Sequence, residues 1–317
     1  MAEYLSPGVY VEEYDSGAVP MQGVSTSTAG FIGLAQRGPV VGKPQLVTSF
    51  ADYKRAFGGY LSEAKFGEAR FLPYAVEQFF INGGSRAYIM RVAAEGAAAA
   101  KATAGVLQIE AANPGEWGNK IRVTVEASSK AKTQVLAAGG AVLTLKNADG
   151  FNPGDVVELF DGKNTAYATI KSVLEKTVTL DAPCALDVAH AKVGTAKYIK
   201  TCEITLTARL GETVETYENL SLKGDALNNA AVKTRKSDLI TVEVIPAKTA
   251  PAKEKDKDGK DIPAPAPKAV SIVPFAQCGG GSEELVLTLQ GGSNGSVRAV
   301  TADAFLGKDD GPGRTKS

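Results

Sequence analysis

Few of the side chains that could do chemistry in this sequence stand where chemistry would need them. Its three cysteines, Cys184, Cys202 and Cys278, are widely spaced and form no CxxC pair. A zinc site is therefore not expected. The single histidine, His190, cannot build a histidine-based metal site alone. Cys184 is near enough in sequence for a Cys–His nucleophile pair, but no flanking motif supports it, and structural or surface roles suit all four residues better. Glu12 and Glu13 are adjacent, so in a strand they point to opposite faces and make a poor acid/base pair. Glu116 beside Trp117 could line a sugar site. The flanking Gly115 and Gly118 favour a bend with Trp117 in the core. The run Gly38-Pro39-Val40-Val41-Gly42-Lys43 has the wrong spacing for a phosphate loop and meets Pro44. Gly83-Gly84-Ser85-Arg86 could form an anion nest, yet a helix C-terminus is the wrong electrostatic end, which favours a structural stop. The chain is therefore read as a non-enzyme, with no catalytic residue, no cofactor and no metal.

Composition narrows the remaining classes. The 317 residues suffice for roughly two domains, and 35 basic residues balance 35 acidic ones. Without a basic surplus, nucleic acid is not an expected partner. No apolar run approaches the ~18 residues of a membrane span. The start carries Glu3 and Pro7 rather than a long apolar core. A soluble protein made in a cytoplasm, with no membrane partner, is expected.

The elements that would position any site begin with an unpaired strand. Tyr4, Leu5, Pro7, Gly8, Val9, Tyr10, Val11, Glu12 and Glu13 form a β-prone stretch, with Val9 and Val11 on one face and Tyr10 and Glu12 on the other. No hairpin turn follows it. Such a segment either edges its own sheet or adds to a neighbour's. Residues 1–22 are read as an extended linking arm and hinge, and 23–97 as the first part of an α/β core. In that core, strands are expected at 27–35, 45–49 and 87–92, with a short helix after Ser49 and a longer one over 68–82. The longer helix presents Phe71, Leu72, Ala75, Val76, Phe79 and Phe80 on one face. The alanine-rich run 93–105 reads as a connector. Residues 98–245 alternate with frequent turns and are read as a β-rich insertion, barrel or sandwich. A Lys/Pro-rich linker spans 246–269, and 270–317 returns toward the core. The fold class is thus α+β and multidomain: a mixed α/β core, a β-rich insertion and an N-terminal β arm.

Several of these segments, in this order, carry a resemblance. They are Ser6-Pro7-Gly8-Val9-Tyr10-Val11-Glu12-Glu13, the run 23–33, Arg37-Gly38-Pro39, Phe57-Gly58-Gly59, and the run 76–88 ending at Arg91-Val92. Asn113-Pro114-Gly115-Glu116-Trp117-Gly118-Asn119, Glu218-Asn219-Leu220-Ser221 and Gly291-Gly292-Ser293-Asn294-Gly295 follow. Together they resemble the contractile tail sheath proteins of bacteriophages, tailocins and related injection systems.

The resemblance implies a structural subunit that polymerises with itself as a helical tube of six-fold rings around an inner tail tube protein. Baseplate and tail terminator proteins would be its other partners, and the virion or particle tail its location. Contraction would drive the tube through a target cell envelope. Residues Tyr4 to Glu13 would add a strand to a neighbour's sheet, with Gly17, Pro20 and Gly23 as hinge. Sheath subunits of this type continue into a further α/β domain and a linking strand, where this sequence ends at Ser317. The alternative is a β-rich surface module that binds carbohydrate or protein.

Overall fold

The computed structural model describes residues 27–184, 186–189, 197–226, 228–245, 271–281 and 284–306. In the first unit, β1 (Thr28–Gly33), β2 (Gln45–Val47) and β3 (Arg86–Arg91) form a sheet of order β1-β3-β2. β1 lies parallel to β3, and β2 lies antiparallel to it. Helices α1 (Phe50–Phe57), α2 (Glu63–Phe66) and α3 (Leu72–Ile81) fill the connection between β2 and β3. Ser49 starts α1 as anticipated: its hydroxyl accepts the Asp52 amide at 3.1 Å. Gly58 stops it with a positive φ of 87°. Tyr53, Phe57, Leu72, Val76, Ala87 and Ile89 meet in one apolar core.

The longer helix departs from expectation. Residues 67–71 form a 3-10 turn, and regular helix begins only at Leu72. Pro73 is the reason, because a residue without an amide donor is accommodated in the first turn and not in the middle. The buried face is also narrower. Leu72 and Val76 are enclosed and Phe79 and Phe80 partly so, whereas Phe71 and Ala75 face solvent.

Part of the supposed alanine-rich connector is strand instead. β4 (Ala97–Ala98) and β5 (Lys101–Ala104) precede β6 (Leu107–Ala111) and β7 (Arg122–Ser128). Alanine hides a strand from propensity, but here a small side chain is required. A Cβ on Gly118 would lie 2.9 Å from the Ala100 Cβ and 2.8 Å from that of Ala111, so the two backbones are already in close approach.

Between β7 and the next strand of its sheet the chain leaves to build a sheet of its own. It comprises β8 (Lys132–Thr133), β9 (Val135–Gly139), β10 (Val142–Leu145), β11 (Val156–Phe160), β12 (Thr165–Leu174), β13 (Thr177–Leu180) and β14 (Tyr198–Thr201). Their order is β8-β14-β11-β12-β13-β10-β9. Alternate residues Leu143, Leu145, Val157, Leu159, Val178 and Leu180 point into a separate apolar core. The two edge strands, β8 and β9, are consecutive in sequence and separated only by Gln134.

The chain then returns through β15 (Glu203–Leu210), β16 (Thr213–Leu220), α4 (Ala230–Lys233) and β17 (Ile240–Val244). α5 (Pro274–Gln277), β18 (Leu285–Thr288), β19 (Ser293–Asn294) and α6 (Asp303–Leu306) complete the described elements. Sheet β16-β15-β7-β18 and sheet β17-β6-β5 share one core, built on Leu107, Ile109, Val123, Val125, Ile204, Leu206 and Val242. The molecule is therefore mixed α and β with strand predominant. None of the sheets among the described residues closes on itself, which removes the barrel form of the expected insertion. No described helix is long and apolar enough to cross a membrane.

Candidate functional site

Alternation along β3 puts Ala87, Ile89 and Arg91 on the covered side of its sheet, so the strand ends by burying a cation. Arg91 is 3% exposed. Its two terminal nitrogens donate to the Gly38 carbonyl and to the Pro114 carbonyl, each at 2.8 Å. Gly38 belongs to the α/β unit and Pro114 to the turn between β6 and β7, so one guanidinium spans the joint. No carboxylate among the described residues pairs with it. Burial pushes the Arg91 guanidinium down to about 10, which leaves it charged at neutral pH. The Tyr53 hydroxyl nearby is buried without a described partner, and burial raises it well above the usual phenol range.

The other short motifs converge on the same joint. Gly38 has φ of 106°, and a Cβ there would stand 2.5 Å from the Phe57 ring. Arg37 donates to the carbonyls of Lys54 and Arg55, placing a cation at the C-terminal end of α1, where the dipole favours one. Gln36 accepts the Gly59 amide at 3.2 Å and donates to the Tyr60 carbonyl at 2.8 Å, holding the Gly58-Gly59 bend. Across the joint, Gly115 has φ of 139° and its amide donates to the Ala98 carbonyl at 3.0 Å. Asn119 and Gly292 bond reciprocally, at 2.8 and 2.7 Å. The Asn294 side chain accepts the Glu116 amide at 3.0 Å. Segments near residues 37, 58, 91, 115 and 292 thus form one hydrogen-bonded assembly.

Several of the described residues weighed for chemistry are occupied in structural work. Glu116 pairs with Lys65, and Trp117 is 8% exposed in the shared β core with its ring N–H directed to the Pro114 carbonyl at 3.3 Å. The Gly83-Gly84-Ser85-Arg86 amides are all committed, to the carbonyls of Phe80, Phe79 and, twice, Ser27. They form a helix stop and strand entry, and no free nest remains. Burial pushes both the Cys202 and Cys278 thiols up to about 12, which disfavours the thiolate. Among the described residues no group of three His, Cys, Asp or Glu is placed to hold a metal ion.

A second buried polar group lies where the seven-stranded sheet leaves the other β sheets. The Lys130 ammonium sits 2.7 Å from the Asp155 carboxylate and 3.4 Å from that of Glu203. Glu203 is 3% exposed and also accepts the Lys130 amide at 3.0 Å. Burial raises its pKa, and the Lys130 hydrogen bond and charge offset that only in part. Sequence reading passed over this group, because Lys130, Asp155 and Glu203 are far apart in the chain and share no motif. Gln36 was missed for the same reason.

The arm and hinge residues named from sequence lie outside the described residues, namely Tyr4, Leu5, Pro7, Gly8, Val9, Tyr10, Val11, Glu12, Glu13, Gly17, Pro20 and Gly23; so does His190.

No family model matches the chain, and no curated protein matches it. Two solved structures are similar to part of it. The crystal structure of a sheath tail protein from Listeria innocua shares 17% identity with a TM-score of 0.24, covering 49% of this chain and 33% of that one. The crystal structure of a sheath tail protein from Desulfitobacterium hafniense shares 15% identity with a TM-score of 0.24, covering 55% of this chain and 39% of that one. This chain thus spans well under half the length of either, and overlaps of that quality carry no weight for function.

Proposed function

We propose that this chain is a structural subunit of a contractile tail sheath. It polymerises with copies of itself as a helical tube around an inner tube, within a virion or particle tail. Contraction then drives the inner tube through a target envelope. Copies are tethered by strand addition of residues Tyr4 to Glu13, with Gly17, Pro20 and Gly23 giving rotational freedom. Baseplate and terminator proteins cap the tube. Rings slide and turn as rigid bodies on these tethers, and contacts of this head-to-tail kind generate open helical assemblies. No nucleotide is needed, because an extended state with less buried contact relaxes to one with more.

The observation that carries the reading is the joint. The motif segments that resemble the sheath family are scattered through the sequence, yet those near residues 37, 58, 91, 115 and 292 meet around Arg91. There they make bends, caps and close approaches. Residues spent in this way fix the relative placement of two units, as a load-transmitting subunit requires. The test is electron microscopy of the purified full chain beside a variant lacking residues 1–13. Tubes or stacked rings from the first and a folded but unassembled second are expected. Normal tubes from the deletion variant would remove the tether, and the absence of any helical assembly from the full chain would remove the reading.

A further inference from the structure

Alternation in the seven-stranded sheet buries Val157, Leu159, Ala168 and Ile199 and leaves their neighbours Glu158, Tyr167 and Lys200 on the opposite face. There Glu158 on β11 stands directly across from Tyr167 on β12 and from Lys200 on β14. These three side chains form one wall of a groove of about 280 Å³. That is just below the range of about 300 to 1,000 Å³ of drug-sized sites. The other wall is apolar, with Val273, Phe275 and Ala276 from the segment that carries α5. Ala127 and Ser128, at the end of β7, line it as well. The groove thus takes its walls from the inserted sheet and from the β core together.

Packing does not account for three of its features. Tyr167 is 45% exposed, and no described ring or cation stacks on it. Its neighbour Tyr198 differs, with the Phe160 ring centroid at 5.1 Å and the Lys132 ammonium 3.9 Å from its own. The Glu158 carboxylate accepts the Tyr198 hydroxyl at 2.9 Å and meets Lys200 at 3.0 Å, but Tyr167 reaches it only at 3.5 Å. A contact that long gives way readily to a better donor. The Ser128 hydroxyl is shielded from solvent and has no partner among the described residues. Such a group costs stability until something bonds to it. Charge narrows the ligand. An anion would approach Glu158 and Glu203, and a cation would approach Lys200, so neither sign gains from entering. A neutral ligand with an apolar face and a rim of hydroxyls meets every condition. Its C–H groups lie on the free Tyr167 ring and the Phe275 wall, and its hydroxyls bond to Glu158, Lys200 and Ser128. We infer that this groove binds a neutral pyranose sugar ring. The site is independent of the sheath reading, and it takes up the carbohydrate partner weighed from sequence alone.

The test is saturation-transfer NMR on the full chain, which reads the ligand and works on single or assembled copies alike. The probes are methyl glucoside, methyl galactoside, methyl mannoside and N-acetylglucosamine. A ring of about a dozen non-hydrogen atoms is expected to bind with a dissociation constant on the order of millimolar. Transfer to at least one probe is expected. Tyr167→Ala should weaken that binding about fivefold or more by removing the stacking face. Tyr88→Ala removes an exposed tyrosine of the α/β unit instead and should leave binding unchanged. Glu158→Gln keeps the side-chain shape and should weaken binding about threefold or more, which gives a second reading if Tyr167→Ala does not fold. Absence of transfer to all four probes overturns the inference. Transfer that survives both groove variants overturns it as well, since the ring then sits elsewhere. Tighter binding of glucosamine or glucuronate than of the neutral probes overturns the assignment of an uncharged ligand.

Discussion

The Arg91 guanidinium is held by carbonyl dipoles and not by a counter-charge. Its geometry therefore matters more than its sign. Arg91→Lys keeps a charge but has one point of attachment for two carbonyls that face it from different units. A loss of about 1 to 3 kcal/mol is expected from the carbonyl left unpaired in a buried site. Arg91→Met should cost a similar amount, and thermal or urea unfolding of both variants decides the point. If the methionine variant were as stable as the parent, packing and not hydrogen bonding would hold the joint. Glu203 makes an opposite case. Its raised pKa means that the folded chain keeps this proton to higher pH than the unfolded chain does. Stability from this group is then fullest at low pH and falls as pH rises from the ordinary carboxylate range through the raised value. Glu203→Gln removes that fall. Melting temperatures taken from pH 4 to pH 7 should show the variant gaining on the parent with rising pH. A parent that gains instead would mean that the attraction of Lys130 exceeds the cost of burial.

At the scale of the element, local chemistry was readable in the sequence wherever one residue decides the outcome. Ser49 and Gly58 bound α1 as their types demand, so Ser49→Ala should cost about 1 kcal/mol in an unfolding titration. The alternating strands β6, β7, β10, β11, β13 and β17 also announced themselves, since each buries every second residue in a core. Elements whose form depends on distant partners were not legible. The alanines of β5 become a strand because β6 lies against them, with Gly118 close upon Ala100 just before the strand. β16 carries polar and charged residues on much of its length and is ordered through its ladder with β15. Likewise, Gly105 looks like any turn glycine, yet a Cβ there would stand 1.9 Å from the Gln277 carbonyl oxygen. Since that neighbour is backbone and φ is 55°, Gly105→Ala should destabilise by about 1 to 3 kcal/mol. The contact belongs to α5, far along the chain, and nothing local in sequence points to it. The candidate site divides in the same way. Its glycines and Arg37-Gly38-Pro39 stood out as motifs, but their meeting around Arg91 is a property of the folded chain.

For the whole molecule, the path of the chain says which part is an addition. β7 and β15 are antiparallel neighbours whose last rungs pair Ser128 with Glu203. The seven-stranded sheet between them issues from the end of that hairpin and is built around its own core. The core shared by the other two β sheets draws no residue from it. Replacing residues 129–202 by Asn-Gly should therefore close the hairpin with a two-residue turn matched to strand twist. The shortened chain should unfold cooperatively and keep the Arg91 joint, because every partner of that joint lies outside the excised part. Glu203 loses both its burial and its Lys130 partner together, so no uncompensated charge is left inside. If subunits are linked through the arm and the α/β unit, the shortened chain should still assemble, with tubes of smaller diameter or smoother outline. A shortened chain that folds but forms no tubes would place essential inter-subunit contacts on the seven-stranded sheet. One without a cooperative transition would show that the two β cores stabilise each other across the Lys130–Glu203 seam.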